Sequence, residues 1–414
     1  MTHSKTVLIL GGGVGGLVAA NELRQLLPWH HRIILVERNE NHAFAPSFLW
    51  VMTGHRRPGR ITQPVKVLLR SGVDFLRANV LAIDSTRAQV ETDQGVLAYD
   101  YLIVALGAEL APGEVPGLAG VAHTFYTLDG AGRLHNALRE FCSGRIAVVV
   151  AALPYKCPGA PLEGAMLIAD FFSRCGRRAA VEIDLFTPES QPMPVAGPLL
   201  ANAASAMLAA RKIRYHSLHQ LQSVDGVNKQ MLFADKGAIP YDLLVAIPPH
   251  RSPDVIRKSV LANETGWIPV DRFSMVTKVD NVYTIGDVTS IPIPGRWKPE
   301  VPLMLPKAGV FAHAQALVVA RRVAGSITGR ESNVSFCGDG YCMLEAGADL
   351  AGFAYGNFFA EPSPEVKLKK IGKAWHVGKI LFEKWWLAPH GIRRTAYRYG
   401  LLLGGKIMGA RSMI

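Results

Sequence analysis

The stretch KTVLILGGGVGG, Lys5 to Gly16, joins a short apolar run to a glycine turn. Six residues of this kind suit a strand buried on both faces of a parallel sheet. Gly11, Gly13 and Gly16 fall in the spacing G-x-G-x-x-G at the strand-to-helix turn. The first glycine permits the tight turn, the second lets backbone approach a pyrophosphate, and the third allows close helix packing. The following LVAANELRQLL predicts a helix whose N-terminus attracts phosphate charge. A second apolar run, RIILVE, ends on Glu37, twenty-one residues after Gly16, where an acid binds a ribose with a free 2′-hydroxyl.

Two later stretches choose FAD over NAD for this site. YDYLIVALGAE, Tyr99 to Glu109, predicts a buried strand ending in a small-residue turn with Ala105 and Gly107, and VYTIGDV predicts another ending in Gly286 and Asp287. They resemble, in two-dinucleotide flavoproteins, the linking strand and the loop whose Asp binds the ribityl chain. Next comes LPKAGVFAHAQALVVARRV, in which Pro306 suits a first helical position and Lys307 is expected to face the flavin's pyrimidine edge.

A second βαβ pattern begins at RIAVVVAA, continues through LEGAMLIADFFSRC and ends in AVEIDLFTPE. Its turn, however, reads Pro154, Tyr155, Lys156, Cys157, Pro158, with Gly159 and Gly164 wrongly spaced for a fingerprint. Proline removes amides that a pyrophosphate would use, so a nicotinamide cofactor is not expected here. Cys157, beside Lys156 and ahead of a helix, is expected to favour the thiolate.

The chain has 414 residues, enough for two or three units, with 49% hydrophobic and 19% charged residues and mean hydropathy +0.17. Its five cysteines are too few for a secreted disulfide framework. Cys142 and Cys175, beside helical apolar patterns, are expected in the core; Cys337 and Cys342 sit in SFCGDGYCMLEAG without paired metal ligands, so no metal is expected. The start MTHSKTVLIL leaves no room for a cleavable signal peptide, and no apolar run suits a transmembrane helix.

Net charge is +12, and Glu365 to Ile414 holds eleven Lys or Arg against two Glu. Within this tail Leu368, Ile371, Trp375, Gly378, Phe382 and Trp385 recur at alternating steps of three and four, predicting one apolar helix face. Trp385 and Trp386 suit a bilayer's headgroup level, and beyond Pro389 the series Ile392, Ala396, Tyr399, Leu403, Ile407 repeats the pattern beside Arg393, Arg394 and Arg398. Peripheral, monotopic membrane attachment is the expectation. No nucleic-acid module accompanies the basic residues.

Taken together, GGGVGG, NHAFAPSFLW with Pro46, PYKCPGAP, TIGDV, PKAGVFAHAQ and GDGYCMLEAG, in which Gly340, Cys342 and Glu345 are spaced G-x-C-x-x-E, resemble sulfide:quinone oxidoreductases. The flavoprotein subunit of flavocytochrome c sulfide dehydrogenase is a related resemblance. It implies an α/β chain with two Rossmann-like βαβ domains of the FAD-dependent disulfide-reductase type plus a C-terminal amphipathic helical membrane-binding region. The expected division is 1–112 with 270–330 for FAD, 113–269 for the second unit, and 331–414 for the tail.

The resemblance further implies FAD contacts at Gly11, Gly13, Gly16, Glu37, Pro46, Ala105, Gly107, Gly286, Asp287 and Lys307, and a catalytic pair Cys157 and Cys342, with Cys337 in reserve. In the implied chemistry hydrosulfide attacks a bridge between the cysteines, thiol exchange leaves one persulfidated and the other a thiolate, and two electrons pass through FAD to a quinone. Sulfur leaves as polysulfide or on an acceptor. The implied partners are hydrogen sulfide, a quinone and a membrane lipid surface, and a homo-oligomer stays open. A type II NADH:quinone oxidoreductase and a soluble subunit docking on a cytochrome are the rival readings, disfavoured by the missing glycines and by the Trp-rich tail respectively.

Overall fold

The computed structural model describes residues 4–330 and 332–410. Strand β1 (Thr6–Leu10) is fully buried from Val7 onward. It turns through the glycines into helix α1 (Val14–Leu26) and on to β2 (Arg32–Glu37), β3 (Asp74–Arg77) and β4 (Tyr101–Val104). β1 lies between β2 and β4 in parallel register, with Leu8 opposite both Ile34 and Leu102. Burial on both faces explains why these strands are runs of Val, Ile and Leu instead of alternating patterns.

The second unit repeats the scheme with β5 (Gly144–Val150), helix α2 (Ala160–Arg174), β6 (Val181–Phe186), β7 (Ile213–His216) and β8 (Leu243–Ile247). They form a parallel sheet in the order β7-β6-β5-β8. The chain then returns to the first sheet. β9 (Val282–Thr284) pairs with β4 and completes the order β9-β4-β1-β2-β3, so Gly286 and Asp287 emerge on the same edge as the glycine turn. This is the switch-point geometry in which open α/β sheets bind ligands.

Helix α3 (Gly309–Thr328) follows and packs along α1. It begins three residues after Pro306, so Pro306 and Lys307 form an extended lead-in to the helix and not its first turn. Strands β10 (Asp339–Gly347), β11 (Leu350–Asn357) and β12 (Glu365–Gly372) make an antiparallel sheet, and helices α4 (Lys373–Leu387) and α5 (Ile392–Ile407) end the fold.

The tail departs from the expected single apolar helix face. Leu368 and Ile371 belong to β12, where Leu368 is opposite Ala354 of β11. Trp385 and Trp386 are buried, not held at an outer surface. α4 is a core helix: Trp375 stacks on Phe353 at 4.6 Å, and Glu383 takes Arg56 Nε at 3.0 Å and the Ser47 hydroxyl. α5 buries none of its residues. Cys142 and Cys175, expected in the core, are exposed, because each lies at the solvent end of its helix pattern.

Candidate active site

The glycine turn is shaped around a ligand. Gly11 has φ +102°, and a Cβ on it would lie 2.4 Å from Ala105 O. A Cβ on Gly16 would lie 1.8 Å from Gly11 O, so helix and turn touch there. At Gly13, the N-cap of α1, an added Cβ would meet nothing within 4 Å, and this open side is where a pyrophosphate fits at the helix N-terminus. Gly12 N–H donates to Glu37 Oε2 at 2.7 Å, which fixes the acid at the end of β2. Gly107 takes φ +69° with open space beside it, and Ala105 N–H donates to Leu10 O at 2.8 Å. Pro46 lies exposed in a short helical turn after residues 41–43.

Asp287 follows β9 on the same edge of the sheet. Its Oδ1 is buried and finds no hydrogen-bond partner among the described residues. Burial raises its pKa, with Lys156 and Lys307 opposing the rise. Such an orphaned acceptor is costly unless a donor arrives, and a ribityl hydroxyl is a donor. The residues therefore fit FAD: an open glycine face for the pyrophosphate, a fixed acid for the ribose, and an unsatisfied buried carboxylate for the chain to the flavin. Gly286, with φ +76°, donates its N–H to Gln315 Oε1 at 2.7 Å, locking this loop to α3. Lys307 Nζ donates to Asp287 O at 2.6 Å and Thr289 O at 3.1 Å and stands 3.4 Å from the Trp267 ring centre. Burial brings its pKa down to about 8.

The turn of the second unit comes to the same place. Cys157 holds a left-handed backbone at φ +58°, a conformation of order 1–3 kcal/mol for a non-glycine residue. Its N–H donates to Lys307 O at 2.7 Å, and Tyr126 Oη donates to Lys156 O at 3.0 Å. Strand β10 brings Cys342 alongside: its Sγ lies 3.6 Å from the position a Cβ on Gly159 would take. Cys337 is exposed, its Sγ against Ser335 O at 3.5 Å. The fold thus brings together Cys157 and Cys342 and keeps Cys337 outside.

Neither thiol is set up as a thiolate, contrary to the expectation from Lys156 and the helix start. Burial, then Glu163, push the Cys157 thiol up to about 12, although Lys379 and the Ala160 N–H pull the other way. Burial, Glu163 and then Cys157 raise Cys342 well above its ordinary value. The Lys156 charge acts instead on Asp287 and His250.

Glu163 and Lys379 were not singled out by sequence reasoning. Glu163, in the first turn of α2, accepts from Lys379 Nζ at 2.7 Å and from Glu345 N–H at 2.9 Å. Burial lowers the Lys379 pKa, but Glu163 and Glu345 outweigh it and the net shift is upward. Lys379 Nζ is 5.4 Å from the Trp50 ring centre, and His376 Nδ1 lies 2.9 Å from Glu345 Oε2, carrying the network outward. The signal for Glu163 was its position six residues after Cys157; Lys379 was hidden inside a basic tail read as surface charge.

Fold and site define a two-dinucleotide-fold flavoprotein. The sequence model of pyridine nucleotide-disulphide oxidoreductases matches residues 5–316, and the chain belongs to that family. It is an FAD-binding oxidoreductase. The mitochondrial sulfide:quinone oxidoreductase of Mus musculus is 28% identical over 299 residues, 69% of this chain and 66% of that protein. The sulfide-quinone reductase of Aquifex aeolicus is 26% identical over 406 residues, 93% of this chain and 90% of that one. The X-ray structure of the sulfide:quinone oxidoreductase from Aquifex aeolicus superposes with TM-score 0.84 over 98% of this chain and 95% of that one, at 23% identity, a likeness of fold.

Proposed function

We propose that the chain is a sulfide:quinone oxidoreductase whose redox centre is Cys157 with Cys342. The observation that carries this reading is the convergence of both thiols at the turn where the second unit lacks its nucleotide glycines. The names of the mouse and Aquifex relatives support it. In the oxidised centre, hydrosulfide attacks one sulfur of a Cys157–Cys342 bridge. The S–S bond breaks, one cysteine becomes a persulfide and the other leaves as a thiolate. Glu163 and Lys379 act on both thiols, Glu163 disfavouring and Lys379 favouring negative charge, so the pair balances thiol against thiolate. Gly11, Gly13, Gly16, Glu37 and Asp287 would hold FAD, with Pro46, Ala105, Gly107, Gly286 and Lys307 around it. FAD supplies the two-electron relay from sulfur to quinone.

The proposed division is 1–112 with 270–330 for FAD, 113–269 for the second unit and 331–414 for the tail. The acceptor is a lipid-soluble quinone, reached by peripheral attachment through α5. Supporting this, Ile392, Tyr399, Leu403 and Ile407 are exposed on α5 beside Arg393 and Arg398. No helix among the described residues is long and apolar enough to cross a membrane.

The test is decylubiquinone reduction by the full chain loaded with FAD, started with sulfide and, separately, with NADH. Sulfide activity is expected, with a loss of about two orders of magnitude or more in each of Cys157→Ala and Cys342→Ala. Activity with NADH alone, or sulfide activity surviving in both variants, would overturn the assignment.

A further inference from the structure

A cleft of about 620 Å³ lies between α1, α3 and the junction of α4 with α5, and neither the two thiols nor the glycines of the turn line it. Its walls carry Arg70, Arg321, Arg394 and Arg398 with His313 and His390. Among its described lining residues the single carboxylate is Glu22, and that already takes Arg321 Nε at 3.2 Å. The cleft therefore has an uncompensated excess of positive charge. Arg70 Nε is buried and has no hydrogen-bond partner among the described residues. Arg394 Nη1 is fixed by Trp386 O at 3.1 Å and Ala388 O at 2.9 Å, so its guanidinium cannot swing away from Arg70 without losing both.

The cations in the cleft oppose one another. Burial and then Arg70 bring Arg394 down to about 10. Burial, then Arg394 and Arg70, bring His390 down to about 4, and burial with Arg394 does the same to His313. Cations crowded into a recess repel each other until an anion enters, and guanidinium groups match the planar, bidentate geometry of phosphate oxygens. Trp385, Trp386 and Leu17 give the recess an apolar floor, and its outer rim is α5, whose exposed apolar face begins at Ile392.

We propose that this cleft binds a phosphate group, and that the phosphate is the headgroup of an anionic lipid at the surface on which α5 lies. The lipid assignment rests on the reading of α5 as an interfacial helix; the phosphate site itself does not. Headgroup binding would anchor the junction of α4 and α5, next to the buried helix that carries Lys379 to the thiols.

Full-length protein is sedimented with vesicles of phosphatidylcholine alone and of equal parts phosphatidylcholine and phosphatidylglycerol. Wild type is expected to prefer the latter, and Arg70→Gln to reduce that preference on the order of thirty-fold, as for a lost charge-assisted contact. Arg393→Gln removes the same charge from the first turn of α5 outside the cleft and is expected to cost no more than about five-fold. Arg70→Lys is expected to recover part of the preference, and Arg398→Gln, at the exposed mouth, serves if Arg70→Gln fails to fold. In a parallel arm, inorganic phosphate at constant ionic strength is expected to raise the melting temperature of wild type and not of the glutamine variant. Equal effects of Arg70→Gln and Arg393→Gln on vesicles, with phosphate still protecting through Arg70, would overturn the lipid and leave free phosphate as the occupant. Equal effects with no phosphate protection would overturn the site. Failure of wild type to bind either vesicle sinks the interfacial reading of α5, while the phosphate arm still decides the cleft.

Discussion

At the scale of single residues, the proposed chemistry turns on Cys157 and Cys342, whose thiol pKa values burial and Glu163 raise. Glu163 repels negative charge at both sulfurs and Lys379 attracts it. Removing the carboxylate therefore favours the thiolate, and removing the ammonium disfavours it. With the exposed Cys142, Cys175 and Cys337 changed to serine, Glu163→Gln is expected to move the pH profile of iodoacetamide alkylation toward lower pH. Rates at mildly alkaline pH should rise on the order of ten-fold. Lys379→Met is expected to shift the profile the other way. Profiles that coincide with the parent would show that the Glu163–Lys379 pair is a packing feature without hold on the sulfurs. Cys157 was legible because it interrupts a local pattern, the turn after a buried strand. The pair that governs it was not, since its members are 216 residues apart and meet only when α2 and α4 both pack against β10.

At the scale of elements, the strand, turn and helix from Thr6 to Leu26 were legible because strand register, glycine turn and helix start are local properties of one stretch. Their glycines now separate into two jobs that can be tested. A Cβ at Gly16 would sit 1.8 Å from Gly11 O, so Gly16→Ala is expected to destabilise the protein by about 3 kcal/mol and lower its melting temperature. A Cβ at Gly13 would meet no protein atom within 4 Å, so Gly13→Ala is expected to carry much less flavin and to melt like wild type stripped of its flavin. Melting curves together with the ratio of flavin to protein absorbance read both outcomes, and a Gly13→Ala protein with full flavin would remove the pyrophosphate from this turn. The tail was less legible at this scale. Leu368 and Ile371 fit a helical step of three, but β11 offers an open edge and the segment pairs with it from Glu365 to Gly372. Sheet pairing depends on a distant partner, which a periodicity count along one segment does not contain.

At the scale of the molecule, the basic tail divides its tasks between two helices. α4 turns inward and supplies Lys379, Glu383, Trp375, Trp385 and Trp386 to the interior. α5 turns outward with Ile392 at 92%, Tyr399 at 67%, Leu403 at 62% and Ile407 at 76% exposure, spaced by seven, four and four residues and so on one side. Transfer of a leucine side chain from water to an apolar phase is worth about 2 kcal/mol, and a carboxylate put in its place adds a further penalty and repels anionic headgroups. Leu403→Glu is therefore expected to weaken binding to phosphatidylglycerol-containing vesicles on the order of a hundred-fold. Because α5 buries none of its residues, the same change is expected to leave the melting temperature and flavin content as in wild type. Reduction of a water-soluble quinone analogue should then persist while reduction of quinone embedded in vesicles falls. If vesicle binding is unchanged, or if both quinone activities fall together, α5 is not the element that carries the enzyme to its lipid-soluble acceptor.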